Sequence, residues 1–172
     1  MSRVRWGRAM AAFAVIAAVS ACSPTMNWRK APLAAVAFNL PCKPDSATRN
    51  QRIGDKTLSL AIMGCEAGGA LFAISQVTVP DEAAARDTQS AWQQQALQSM
   101  RAGAPVAAPW TSPPWSKDAI SIQATGVDPQ GIPIQARLSW FRHEQNLYHL
   151  AVYAPKVSPE WALTFLEDIS LL

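Results

Sequence analysis

Thr57-Leu58-Ser59-Leu60-Ala61-Ile62-Met63-Gly64-Cys65-Glu66-Ala67-Gly68-Gly69 is the stretch that decides the fold. Leu58, Leu60 and Ile62 alternate with Thr57, Ser59 and Ala61, the period of a strand with one buried face. Glu66-Ala67-Gly68-Gly69 then supplies the residues of a hairpin turn. Ala70 to Val79 returns as a second strand and stops at Pro80, which has no amide to give to a ladder. An antiparallel sheet is therefore expected at the centre of the chain.

Upstream of this hairpin, the apolar run Leu33 to Leu40 reads as one strand ended by Pro41. Cys42-Lys43-Pro44-Asp45 reads as a turn, and Asp45 to Asn50 as a polar loop. Downstream, Asp81 to about Arg101 reads as a helix. Asp81 is its N-cap, Ala83-Ala84-Ala85 favour it, Trp92, Ala96, Leu97 and Met100 make an apolar stripe, and Gly103 stops it. Ala102 to Lys117 holds Pro105, Pro109, Pro113 and Pro114 with Trp110 and Trp115, and is expected to be irregular. Ile120 to Thr125, Ile132 to Phe141 and Leu147 to Ala154 follow as a meander. Ser158 caps a last helix with Pro159 in its first turn and Trp161, Phe165 and Ile169 on one face. The expected class is α+β, an antiparallel sheet of about six strands in the order β-β-β-α-β-β-β-α, packed with two helices.

The first residues carry Arg3, Arg5 and Arg8 and no acid, and an apolar run from Ala9 to Val19 follows. That run is shorter than the roughly 20 residues a bilayer span needs, so the layout is that of an export signal. It leads into Val19-Ser20-Ala21-Cys22. This string resembles the lipobox of bacterial lipoproteins; the alternatives are a plain signal peptide with a chance cysteine and an uncleaved anchor. The resemblance implies removal of residues 1–21 and acylation of Cys22. Two or three acyl chains give stable anchoring where one does not. Ser23 in place of an aspartate implies the outer membrane, with the domain facing the periplasm. The expected organisation is a signal peptide over 1–21, a tether over 22–32 and one α+β domain over 33–172.

The chain has 172 residues, with 15 basic and 12 acidic. Three of the basic residues lie in the signal, so the mature protein is formally neutral and gives no argument for nucleic acid. Arg29-Lys30 is a weak patch for lipid headgroups and reads better as a solvated pair. Beyond Cys22 only Cys42 and Cys65 remain. An exported chain meets an oxidising compartment, so these two are expected to form a disulfide rather than a redox or metal pair.

The element order, with Phe38-x-Leu40-Pro41, the mid-chain helix, the hairpins around Gly131 and the closing Phe165-x-x-x-Ile169 segment, is similar to PsbP-like domains. Those pack helices against a central antiparallel sheet and include assembly factors and adaptors. The resemblance implies a binding or assembly role by analogy of fold.

Chemistry is thinly signalled. No G-x-S-x-G elbow and no phosphate-cradling glycine loop occur. His143 and His149 flank one predicted turn, with Glu144 the nearest third ligand and Tyr148 expected opposite His143, which falls short of a metal or acid–base site. Asp81-Glu82 reads as a helix start and Glu167-Asp168 as the last turn of a helix. The remaining hint is Trp110-Thr111-Ser112-Pro113-Pro114-Trp115, two tryptophans on a proline-stiffened loop. They either close the core or contact a partner. The expected function is a non-enzymatic, membrane-anchored periplasmic lipoprotein that binds an envelope partner or assists assembly, with no cofactor and no metal. A carrier of a small apolar ligand, with a pocket lined by Trp92, Trp140 and Trp161, is the second reading, and an unrecognised enzyme the third.

Overall fold

The computed structural model describes residues 25–172. The expected signal peptide over 1–21 and the expected acylation site Cys22 lie outside them. The expected hairpin forms the middle of the molecule. Strand β4 (Lys56–Ala67) and strand β5 (Ala70–Thr78) pair in register through Cys65↔Phe72 and Ala67↔Ala70. Gly68 and Gly69 make the turn with φ of 59° and 74°, a left-handed pair that hairpin connections favour and side chains resist.

The described residues hold ten strands rather than six, in two sheets. The remaining elements are β1 (Arg29–Leu33), β2 (Val36–Leu40), β3 (Asp45–Ile53), α1 (Glu82–Ser99), β6 (Val106–Ala107), β7 (Lys117–Val127), β8 (Pro133–His143), β9 (Asn146–Ala154), α2 (Pro159–Leu166) and β10 (Ser170–Leu171). A seven-stranded sheet runs β3-β4-β5-β9-β8-β7-β6, and a three-stranded sheet runs β1-β2-β10. All pairings are antiparallel. The class is α+β with two helices, and the single six-stranded sheet is corrected on two counts.

First, the run read as one strand from Leu33 to Leu40 folds back on its upstream neighbour. Ala34 turns at φ 51°, and Arg29–Leu33 pairs with Val36–Leu40. Residues 29–32, read as the end of the tether, are thereby part of the domain. Second, Asp45–Asn50, read as loop, belongs to β3, which pairs with β4 over nine positions. Its side chains are almost all exposed. An edge strand needs only its backbone to complete a ladder, so its side chains carry no alternation, and charges there deter pairing with other chains.

The large sheet has two buried faces. On one lie Leu60, Val77, Leu138, Trp140, Leu147 and Ala151, covered by α1 through Ala85, Trp92, Ala96 and Met100. On the other lie Met63, Phe72, Ile74, Phe141, Tyr148 and Leu150, covered by the small sheet through Phe38 and Leu40 and by α2 through Phe165. Phe38 sits 5.5 Å from the ring of Tyr148, and Phe165 packs edge-on to Phe72 at 5.4 Å.

The caps follow the sequence reading. The Asp81 carboxylate accepts the Ala84 amide at 2.8 Å, and the Ser158 hydroxyl accepts that of Trp161 at 3.4 Å. Helix α2 ends at Leu166, so Glu167-Asp168 is not a final helical turn. Asp168 turns at φ 55° and pairs with Lys30 at 2.8 Å, which occupies one half of the Arg29-Lys30 pair. Cys42 and Cys65 form the expected disulfide, with Cα atoms 6.0 Å apart.

Candidate functional site

The two histidines do not come together. Strand β8 joins β9 through a two-residue turn, Glu144-Gln145, which sets His143 against Asn146, Phe141 against Tyr148 and Trp140 against His149. The expected opposition of Tyr148 and His143 is therefore shifted by two residues. Side chains alternate along a strand, so the rings lie on opposite faces of the sheet. His143 packs on Trp115 at 5.1 Å, on the α2 side. His149 lies on the α1 side, stacked on Trp140 at 4.4 Å and edge-on to Trp92 at 5.2 Å. Among the described residues no group of three His, Cys, Asp or Glu is placed to hold a metal ion.

His149 is nonetheless the most unusual side chain in the molecule. It is buried, and its Nε2 has no hydrogen-bond partner among the described residues. Desolvation pushes its pKa down to about 3, because burial between two indoles penalises the charged imidazole. It is a neutral ring at the wall of a cleft of about 290 Å³ between α1 and the sheet. The cleft floor is apolar, with Leu60, Ile62, Ala73 and Ala151. Ser75 lies buried among them, and the rim carries Arg49, Gln95, Ser99 and Tyr153. Register explains the convergence: Arg49 pairs with Leu60, Ile62 with Ser75, and Ser75 with His149, so all point toward α1.

Ser99 and Tyr153 also line a second hollow of about 610 Å³, formed by Leu71, Met100, Val127, Ile132, Ile134 and Pro155 with Glu66 and Asp128 at its edge. The two hollows therefore make one trough beside the C-terminal half of α1. Burial pushes the Tyr153 hydroxyl up to about 12, so it stays protonated. Leu71 is 39% and Ile132 56% exposed, the largest apolar side chains left open on this side of the sheet.

The three tryptophans expected to line one ligand pocket are divided by the sheet. Trp92 lines the cleft under α1, Trp140 is fully buried beneath His149, and Trp161 lies on α2 across the sheet beside Gly68 and Pro155. Trp110 and Trp115 are half-buried and reach the same ring, Phe141, at 6.1 and 5.7 Å. The Trp110 indole donates to the carbonyl of Leu166 at 3.2 Å. Their loop thus closes the α2-side core and leaves part of each ring at the surface.

One buried charge is accounted for structurally. Arg142 pairs with Asp118 at 3.1 Å, approaches Glu82 at 3.8 Å and donates to the Glu144 carbonyl at 3.0 Å. This ties the start of α1 to the β7 bulge. Buried charges persist only when paired in this way.

The trough was not legible before the fold. Its members come from β3, β4, β5, α1, β7, β8 and β9, and β3 had been read as loop. The parity of β9 was available: His149 shares it with Leu147 and Ala151, so the ring's buried side could have been inferred. Comparison of the chain with protein-family models finds no match, and no curated protein matches it in sequence.

Proposed function

We propose that this protein is a lipid-anchored accessory of the bacterial envelope, held through Cys22 and acting by binding rather than by catalysis. The observation that carries the reading is where the chain joins the domain. A side chain added at Gly68 would meet the Met26 methyl at 2.7 Å and the Trp161 ring at 2.8 Å, so Met26 is seated at the β4–β5 turn. Three residues lie between Cys22 and Met26, four Cα steps with a reach of at most about 14 Å. An acylated Cys22 would hold this end of the domain against the membrane with no stalk between, and the tryptophan loop would remain free for a partner. The alternation of predicted helices and hairpins around a central antiparallel sheet, similar to PsbP-like adaptors, agrees with a binding role.

Two measurements test this. Mass spectrometry of the mature N-terminus is expected to find residues 1–21 removed and Cys22 acylated; an unmodified Cys22 overturns the anchor. A photo-cross-linking residue at Thr111, between Trp110 and Trp115, is expected to give a discrete adduct in cells. The same residue at Gln94 on the exposed side of α1 is the control. No adduct specific to Thr111 overturns the partner surface.

The ligand-carrier reading is favoured by a separate observation, the trough beside α1 with its unpartnered His149.

A further inference from the structure

We propose that the trough beside α1 binds one long-chain carboxylate, a free fatty acid, with its head at Arg49 and its chain over Tyr153 and Leu71. This deepens the ligand-carrier reading, and it rests on the geometry of the trough rather than on the anchor.

Charge sets the direction. Arg49 stands at the rim of the inner cleft, and it makes no ion pair among the described residues. A planar guanidinium with free donors is suited to a carboxylate. The outer hollow carries Glu66 and Asp128 and no cation. A carboxylate placed there would face two like charges, so the head belongs at the Arg49 end and the chain at the other.

Polarity gives the class. The inner cleft mixes hydroxyl and amide groups with Leu60, Ile62 and Trp92, and the outer hollow is mostly aliphatic. An inorganic anion would leave that aliphatic surface in water, and a neutral hydrocarbon would leave Arg49 without a partner. His149, held neutral, offers a donor or an acceptor at the wall without adding a second positive charge.

Length gives the size. At about 4.8 Å between strands and about 3.4 Å per residue, the register separates the backbones of Arg49 and Tyr153 by roughly 25 Å, three strands across and six residues along. One acyl chain covers about half of the roughly 30 Å bilayer core. With its head and the reach of the Arg49 side chain it fills that span and ends at Tyr153 and its cross-strand partner Leu71.

The test uses the full-length protein in phosphatidylcholine vesicles. The probe is a palmitate analogue carrying a diazirine at the end of its chain, compared with the matching fatty alcohol. Labelled peptides are expected to contain Leu71 and Tyr153, and excess palmitate is expected to suppress the labelling. The acid should label at least fivefold more than the alcohol, and Arg49→Gln should remove that preference. Arg49 is exposed on an edge strand, so this variant keeps the fold; its melting curve checks that. Replacing Leu71 by Asp should lower labelling about tenfold. Labelling that excess palmitate does not suppress reflects bilayer contact only and overturns the proposal, as does an equal yield from acid and alcohol. The Cys22→Ala chain should label the same peptides. A wild-type protein that is acylated at Cys22 yet unlabelled in the trough overturns the carrier site and leaves the anchor standing.

Discussion

His149 shows what a single register position does to a side chain. Its neighbours on β9 are Tyr148 and Leu150, both facing the α2 core, so the imidazole has nowhere to go but under α1. There it meets Trp140 and Trp92, and burial holds its pKa at about 3. An unfolded histidine takes up a proton near pH 6.5. Between those values the unfolded state binds more protons than the folded one, so stability rises with pH across the window. The contribution is complete above pH 6.5 and is lost as the pH falls toward 3. At about 1.4 kcal/mol per unit, the fall from pH 7 to pH 4 removes about 3 kcal/mol through this one group. Urea unfolding at both pH values should show that loss in the wild type. In His149→Phe, which keeps a flat ring against Trp140, the drop should be smaller by about that amount. Parallel losses in the two proteins would mean that the ring is not neutral in the folded state.

At the scale of elements, the joint between α1 and β7 is set by a missing side chain. A Cβ at Gly126 would collide with the carbonyl of Met100, the C-cap of α1, and would also lie within 3.2 Å of the Met100 methyl. That carbonyl accepts the Val127 amide at 2.8 Å. Glycine here lets the helix end rest on the strand. Gly126→Ala has to push the helix end away, lengthen that hydrogen bond and disturb the buried Met100. The expected cost is about 1–3 kcal/mol, the range for overpacking. A thermal melt checks it, and because the outer hollow is lined by Met100 and Val127, palmitate labelling should fall as well. Gly103, which has open space around it, is the control and should tolerate Ala with little change.

The same scale explains what the sequence could and could not tell. The Thr57–Val79 hairpin, both helices and the β7–β9 meander were legible because each carries its own periodicity, cap or turn residues. The β1–β2 turn was not, since Ala34-Ala35 bears none of the residues that usually mark a turn. Strand β3 was missed because Asp45 to Arg52 satisfies only a backbone ladder. The candidate trough depends on that strand, through Arg49. It also depends on β9 lying beside β5, a pairing of residues 68 to 82 positions apart. No local pattern encodes that neighbour relation. It follows from burying Phe72 and Ile74 beside Leu150 and Val152, which the completed sheet alone brings together.

Across the whole molecule, the two cores are unequally tied. The α1 core is held by a long helix capped at Asp81 and pinned through Arg142. The α2-side core is closed by short pieces: the β1–β2 hairpin, the two-residue β10, an eight-residue helix and the tryptophan loop. The disulfide stands where this matters. Cys42 directly follows β2 of the small sheet and Cys65 lies in β4 of the large one, so the bond fastens one layer to the other. It closes a loop of 23 residues, for which the chain-entropy relation gives about 3 kcal/mol. Replacing Cys42 and Cys65 together by Ser should lower the stability by that amount. The loss should be uneven: amides of β1 and β2 should exchange faster with solvent than those of β5 and β9, because the small sheet loses its disulfide cross-link to β4. Hydrogen exchange on the two proteins distinguishes this from uniform weakening. Equal acceleration in β2 and β9 would mean that the layers open together and that the bond acts on the unfolded chain alone.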